Sequence, residues 1–249
     1  MNSELKIGIL RRDQFAKLPL VTENHLRDTP IYNNSPNVVN SYNSRGTKIR
    51  KGDEAKNPCF TTRAITCSAG FLRVRLNTKV HSYLMFHLLG AKTNEEDPEK
   101  DIKRCFRAKI KKFFGELDDL IKSKSSKIDI DFILVGGIGR LDGLESNTHA
   151  QEIKNTSTEI QEMIIEILED EINKFKREKK NVNINKSYFT GQSLKSLERR
   201  NCLKLLPMTH LYYDGQNKLY IAPSYHQDEI EGDTNQHYQR IHQEHQSLS

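Results

Sequence analysis

Three residues of this 249-residue chain, Thr61, Cys67 and His87, have side chains that together could carry out nucleophilic chemistry. A thiol is a poor nucleophile at its free pKa of about 8.5, and an imidazole within hydrogen-bonding distance both lowers that pKa and transfers the proton. A third group that accepts a hydrogen bond from the imidazole N–H would fix the tautomer of the ring. Spacing alone, however, favours the simpler interpretation that a Cys and a His on neighbouring strands fill the core.

Short runs typical of strands carry these residues. The pattern predicts strands over 61–67, 71–76 and 80–89, and apolar residues alternate with arginines in the second run. A period of two in consecutive runs, with a tight turn at 77–79 between the last two, predicts an antiparallel hairpin or meander. The thiol would then follow the first strand, at the turn 68–70, and the imidazole would lie near the end of the third.

Two segments around these residues resemble a known family: 61–70, with the sequence TTRAITCSAG, and 84–90, with the sequence LMFHLLG. They are similar to the active-site segments of the CheD-type chemoreceptor glutamine deamidases, and of the cytotoxic necrotizing factor toxins and the Burkholderia lethal factor in the same superfamily. The order of the predicted elements over about residues 59–222 also resembles the CheD layout. The family usually has a glycine one or two residues before its cysteine, where this chain has Ile65 and Thr66.

The resemblance implies a role for each of the three residues. Cys67 would attack the side-chain amide of a protein glutamine, His87 would be its base, and Thr61, six residues before the cysteine, would support the imidazole. His81 is a competing assignment for the base, because side chains six residues apart point to the same face of a regular strand. We prefer His87 because its neighbours match the strand end of the family. The implied chemistry needs no cofactor and no metal, and it fits deamidation and transglutamination alike.

Two amphipathic helices are predicted outside these strands. One would span 97–121, capped by Asp97, and the other would begin at a capping box, Thr156-x-x-Glu159. Further predicted elements are a strand over 128–135 that ends in two glycines, a strand over 182–189, a short apolar run over 203–206 and a terminal hairpin over 211–221. We therefore predict an α/β fold with a layered, mostly antiparallel β core, resembling CheD, and with helices packed outside.

Both ends of the chain are polar, and the whole sequence is only 35% hydrophobic. This composition predicts three parts. Residues 1–57 are expected to form a polar N-terminal extension, 58–223 a CheD-like deamidase domain, and 224–249 a polar C-terminal tail.

Composition and charge exclude several other classes of protein. No apolar run approaches the roughly 18 residues of a membrane span, and the first twelve residues lack the apolar region of a Sec signal peptide, so we expect a soluble protein. Four Cys without a C-x-x-C pair argue against a disulfide framework and structural zinc. The net charge of +6 follows patterns typical of solvated faces, so nucleic-acid binding is not expected. The histidines near the C-terminus and the glycine-rich segment 136–143 are weaker signals for a metal and a dinucleotide.

The leading hypothesis is therefore a protein glutamine deamidase that uses Cys67, His87 and Thr61. Its partner would be a protein substrate with a reactive glutamine. Its location would be the bacterial cytoplasm, or a host cell that it reaches without a Sec signal peptide as a toxin-like effector. The alternative is a catalytically silent CheD-like binding module for a protein or nucleic-acid partner.

Overall fold

Strands in the described part of the chain form two five-stranded sheets that stack face to face. The structure, a computed structural model, describes residues 4–26, 36–39, 46–64, 67–77, 79–88, 100, 102–120, 127–136, 148–179, 181–190 and 208–224. In chain order the strands are β1 (Lys6–Ile9), β2 (Val38–Val39), β3 (Thr47–Lys51), β4 (Cys59–Ala64), β5 (Ser68–Leu76), β6 (Lys79–Leu88), β7 (Ile128–Gly136), β8 (Val182–Thr190), β9 (Met208–Tyr213) and β10 (Lys218–Ser224). The first sheet has the order β1-β10-β9-β4-β2, and the second has the order β3-β6-β5-β7-β8.

Most of the pairings in these sheets are antiparallel. β5 and β6 form the predicted hairpin, with Ala69 opposite His87, and β7 pairs antiparallel with the other edge of β5. β9 and β10 form the terminal hairpin, whose turn contains Gly215 at φ +82°, a conformation that favours glycine. The predicted fold class, a layered and mostly antiparallel α/β core, is confirmed.

Helices cover the outer faces of both sheets. The helical elements are α1 (Arg12–Phe15), α2 (Glu23–Leu26), a 3-10 turn (Gly52–Lys56), a π-helical turn (Ile102–Phe106), α3 (Arg107–Leu120) and α4 (Thr148–Glu178). Apolar residues of α3 and α4 pack against the outer face of the second sheet, around Leu72 and Phe132. The two single-turn helices cover the first sheet around Phe60 and Tyr212. None of the described helices is long and apolar enough to cross a membrane.

Side chains from both sheets meet in a buried layer that we call the inter-sheet core. Aromatic rings fill its middle, where the ring centroid of Phe71 is 5.4 Å from that of Tyr83 and 4.6 Å from that of Tyr213. Smaller residues, Ala64 and Ala69, lie toward one end. We call this end, where the side chains are small, the smaller end of the core, and the candidate site residues lie there.

The predicted capping box is wrong. α4 begins at Thr148, so Thr156 and Glu159 lie inside the helix. The residues before Thr156 include good helix formers such as Gln151, and a helix that has nucleated extends through such residues without an apolar stripe. Asp97, the cap predicted for the other helix, lies outside the described residues.

The described parts of 1–57 contribute strands to both sheets, although the sequence predicted a polar extension there. β1 pairs with β10, β2 pairs with β4, and β3 pairs with β6. Pairing hydrogen bonds come from the backbone, so polar residues can form edge strands, and edge strands commonly carry Lys. Where it is described, this region is therefore part of the layered core. Of the predicted tail, 224–249, Ser224 is the last residue of β10, and the rest lies outside the described residues.

Candidate functional site

Thr61 and His87 meet across the two sheets. Thr61 lies on β4 of the first sheet, and His87 lies on β6 of the second. The Oγ1 atom of Thr61 is 2.7 Å from Nδ1 of His87, and the two side chains are buried, with exposed fractions of 0% and 4%. When the ring carries its proton on Nδ1, it donates this hydrogen bond to the hydroxyl, and Nε2 is then the basic nitrogen. The stacking of the sheets therefore holds the imidazole in one orientation.

Cys67 lies at the start of β5, beside the strand that carries His87. It precedes Ser68, the first residue of β5, and its side chain is partly exposed and packs against the inter-sheet core. Because Ala69 is opposite His87, and alternate residues point to one face, Cys67 is diagonal to the imidazole. Diagonal neighbours in an antiparallel pair lie roughly 7–8 Å apart, which aromatic side chains can span. The fold thus brings the three predicted residues to one end of the inter-sheet core.

Two glycines pack against the backbone of this site. A Cβ on Gly136, at φ +104°, would overlap the carbonyl oxygen of Cys67, and a Cβ on Gly46, at φ +64°, would overlap the carbonyl oxygen of His87. Both positions therefore need glycine for close approach as well as for backbone conformation. The sequence pattern marks Gly136 as a strand end and as the start of a glycine-rich segment, and it does not mark Gly46, because only the folded pairing shows what each glycine approaches.

His81, the competing candidate for the base, lies near the other end of β6. Six residues separate it from His87, which corresponds to about 20 Å along a strand. The strand is also irregular there, because the register with β5 shifts between Val74 and Arg75. Burial and the nearby charge of Lys51 lower the pKa of His81. The distance excludes it as the base for a thiol at the start of β5.

The described thiols have different surroundings. Cys59 is completely buried in the inter-sheet core, and burial raises its pKa to about 11. A protonated, inaccessible thiol is a poor nucleophile, so Cys59 is a core residue. Cys105 lies in the π-helical turn and is partly exposed. Cys67 is thus the partly exposed thiol that lies beside an oriented imidazole, whereas Cys202 lies outside the described residues.

The opposite end of the inter-sheet core holds a cluster of charged side chains, which we call the arginine cluster. Its members are Arg73, Arg75, Asp129 and Asp131, with Asn183 and Asn185 at its border. Arg73 is fully buried and donates from Nε and Nη2 to one oxygen of Asp131, at 3.0 and 2.7 Å. Its Nη1 is 3.3 Å from Oδ1 of Asn217, in the turn between β9 and β10. This cluster fastens the two sheets together at the end away from the thiol.

The weaker sequence signals produce no second site among the residues that can be described. In the described ranges, no three His, Cys, Asp or Glu side chains gather in a way that could hold a metal. The C-terminal histidines, His226, His237, His242 and His245, and most of the glycine-rich segment, 137–143, lie outside those ranges.

A comparison with models of known protein families finds no match to this chain, and a comparison with characterised proteins finds no significantly similar sequence. The class that fold and site define is a two-sheet α/β protein with a hydroxyl-supported imidazole next to a partly exposed thiol. Such an arrangement is suited to nucleophilic attack on a carbonyl carbon, with proton transfer through the imidazole.

Proposed function

We propose that this protein is a cysteine amidohydrolase that converts a side-chain glutamine of a partner protein to glutamate. The observation that carries the proposal is the 2.7 Å hydrogen bond between Thr61 Oγ1 and His87 Nδ1, because an imidazole held through one nitrogen presents the other in a fixed direction. The partly exposed thiol of Cys67, diagonal to this ring, is the nucleophile. The resemblance of 61–70 and 84–90 to CheD-type deamidases supports a glutamine carboxamide as the group attacked.

In the proposed reaction, Nε2 of His87 takes the thiol proton of Cys67, and the sulfur attacks the carboxamide carbon. The C–N bond then breaks, His87 returns the proton to the leaving nitrogen, and ammonia departs from a thioester. His87 next takes a proton from water, and the hydroxide attacks the thioester carbonyl. The C–S bond breaks, and the returning proton restores the thiol beside a glutamate. Thr61 accepts the Nδ1–H bond throughout and keeps the ring oriented.

The negative charge that develops on the carboxamide oxygen needs hydrogen-bond donors that are already in place. The backbone N–H of Cys67 is the donor that we propose, and loss of one such donor costs about 2.7–4 kcal/mol of transition-state stabilisation. The backbone of Gly136 lies so close to the carbonyl oxygen of Cys67 that a Cβ would overlap it, and this close packing supports a fixed backbone position at the nucleophile. Thus Gly136 is proposed to act through the position of Cys67.

The setting that we propose follows from the superfamily resemblance alone. The protein would act in the bacterial cytoplasm, or as an effector in a host cell that it reaches without a Sec signal peptide. Its substrate would be a protein that presents a glutamine side chain to the partly exposed thiol.

The test compares wild type with Cys67→Ser on protein extracts from bacteria and from cultured animal cells. We expect wild type to release ammonia and to convert specific glutamines to glutamate, read site by site with peptide mass spectrometry. Cys67→Ser should do neither and should keep the wild-type melting temperature, because the exchanged side chain is small and partly exposed.

Cys105→Ser is the matched control, since it removes another partly exposed thiol, in the π-helical turn that packs on the outer face of the second sheet, and it should behave as wild type. Conversions that persist in Cys67→Ser would contradict the proposal. A folded wild-type protein that converts no glutamine in either extract would instead favour the binding module.

A further inference from the structure

A buried hydroxyl that has no hydrogen-bond partner among the described residues lies on the strand next to the candidate site. Thr209, on β9, has an exposed fraction of 0%, and no described residue forms a hydrogen bond with its Oγ1. β9 pairs with β4, the strand that carries Thr61, and Thr209 is opposite Ala64, the last residue of β4. The hydroxyl is therefore beside the strand end that leads to Cys67, three residues further along the chain.

The strand pattern directs this hydroxyl into the inter-sheet core. Leu211 and Tyr213, two and four residues after Thr209, both pack in that core. His210 faces the other way, and its ring centroid is 5.3 Å from that of Phe15 on the outer side of the first sheet. Because side chains alternate along a strand, Thr209 points into the inter-sheet core.

Ala64 lies between this hydroxyl and the backbone of Cys67. It is the strand partner of Thr209, and its Cβ lies 3.4 Å from the place that a Cβ on Gly136 would occupy. The same Cβ on Gly136 would overlap the carbonyl oxygen of Cys67. Thr209, Ala64, Gly136 and Cys67 are thus successive neighbours at the smaller end of the core.

A valine at this position would fill the same space without burying a hydroxyl. A buried hydroxyl that lacks a partner carries a desolvation penalty, and such groups are rare enough in folded proteins that each one calls for an explanation, of which a catalytic role is one. A hydroxyl can accept a hydrogen bond, and the –NH2 group of a primary carboxamide has two N–H donors. We propose that Oγ1 of Thr209 accepts a hydrogen bond from the –NH2 group of the glutamine that Cys67 attacks. The inference rests on the proposed function and adds a residue that selects primary amides.

The test uses two small electrophiles that alkylate Cys67. One is 2-chloroacetamide, which has a primary carboxamide, and the other is N,N-dimethyl-2-chloroacetamide, whose nitrogen has no N–H. Alkylation rates at Cys67 are measured by peptide mass spectrometry in wild type, Thr209→Val and Thr209→Ser. We expect Thr209→Val to slow the reaction with the primary amide about tenfold, the size of one hydrogen bond, and to leave the dimethyl reagent unchanged. Thr209→Ser keeps the hydroxyl and should keep the wild-type ratio of the two rates. The melting temperature of Thr209→Val should equal or exceed that of wild type.

Three outcomes would overturn the assignment of Thr209. They are an unchanged ratio of the two rates in Thr209→Val, equal slowing of both reagents, and a Thr209→Val protein that fails to fold, since the last would show that the hydroxyl is needed for structure. Failure of the proposed function would look different. In that case Cys67 of the wild-type protein would react no faster than Cys105 with either reagent, and the inference would fall with the function.

Discussion

The two ends of the inter-sheet core use polar side chains in opposite ways. In the arginine cluster, buried charges have several partners, since Arg73 donates twice to Asp131 and Asn185 Nδ2 is 3.0 Å from the other oxygen of Asp131. At the other end, a hydrogen bond between Thr61 and His87 connects the sheets, and a partly exposed thiol lies beside it. One end is dense in fixed charge, and the other has groups that can exchange a proton.

This difference predicts that one end of the core contributes mainly to stability and the other mainly to reactivity. Removing one partner of a buried ion pair leaves an uncompensated charge, which destabilises the folded state strongly. A single hydrogen bond between a hydroxyl and an imidazole contributes only about 0.5–1.5 kcal/mol net. Removing one charge of the arginine cluster should therefore destabilise the folded state strongly, whereas removing a polar side chain at the thiol end should change reactivity more than stability.

The largest effect on stability is expected from Arg73→Met, which leaves Asp131 buried without its main partner. We expect a loss of about 3 kcal/mol in the free energy of unfolding, at the low end for such pairs because Arg75 Nε is 3.6 Å from the same oxygen. Urea denaturation measures this loss. The double variant Arg73→Met with Asp131→Leu removes both charges and should recover part of it. Wild-type stability in the single variant would show that the two ends do not differ as described.

A somewhat smaller effect on stability is expected from Gly136→Ala. The new Cβ would overlap the carbonyl oxygen of Cys67, and the positive φ of residue 136 strains the backbone of any residue other than glycine. We expect a loss of about 2–3 kcal/mol together with slower alkylation of Cys67. Gly52→Ala is the matched control, because Gly52 also has a positive φ, +54°, but a Cβ there would meet nothing within 4 Å. That variant should lose only about 1–2 kcal/mol and leave the reactivity of Cys67 unchanged. Equal effects of the two substitutions on reactivity would argue against a positioning role for Gly136.

The smallest loss of stability is expected from Thr61→Val, which removes the hydroxyl that holds His87. We expect about 1 kcal/mol of destabilisation. Alkylation of Cys67 should be about tenfold to hundredfold slower, which is at most the lower end of what a general base contributes, because the imidazole itself is still present. Thr61→Ser retains the hydroxyl and should restore most of the rate. A rate that Thr61→Val leaves unchanged, in a folded protein, would remove Thr61 from the site.

The candidate site could be predicted in part because it depends on local order in the chain. The hairpin of β5 and β6 follows from alternating apolar residues and a short turn, and this hairpin places Cys67 near His87. By contrast, Gly46 and Thr209 reach the site through pairings between distant segments, β3 with β6 and β9 with β4. No local pattern encodes such pairings, so the sequence did not reveal these two residues.

The arginine cluster was missed for a related reason. Arg73 alternates with apolar residues, and its burial depends on Asp131, 58 residues away, and on the β9–β10 turn. The prediction of a capping box was wrong for the opposite reason. Thr156 and Glu159 do form the local sequence motif, but they lie inside the helix and do not mark its start. Local periodicity therefore predicted the type of most elements, whereas boundaries and buried polar partners required the whole fold.

The central claim, that His87 activates Cys67, is tested most directly by the rate at which iodoacetamide modifies each thiol in wild type and in His87→Gln. At pH 7, Cys67 of wild type should react at least about tenfold faster than Cys105, and His87→Gln should remove this advantage. At pH 10, where thiols ionise without a base, Cys67 should react similarly in both proteins. Cys59 should stay unmodified at both pH values, because it is buried and burial raises its pKa to about 11. A wild-type Cys67 that reacts no faster than Cys105 at pH 7, or that His87→Gln leaves unchanged, would contradict the account.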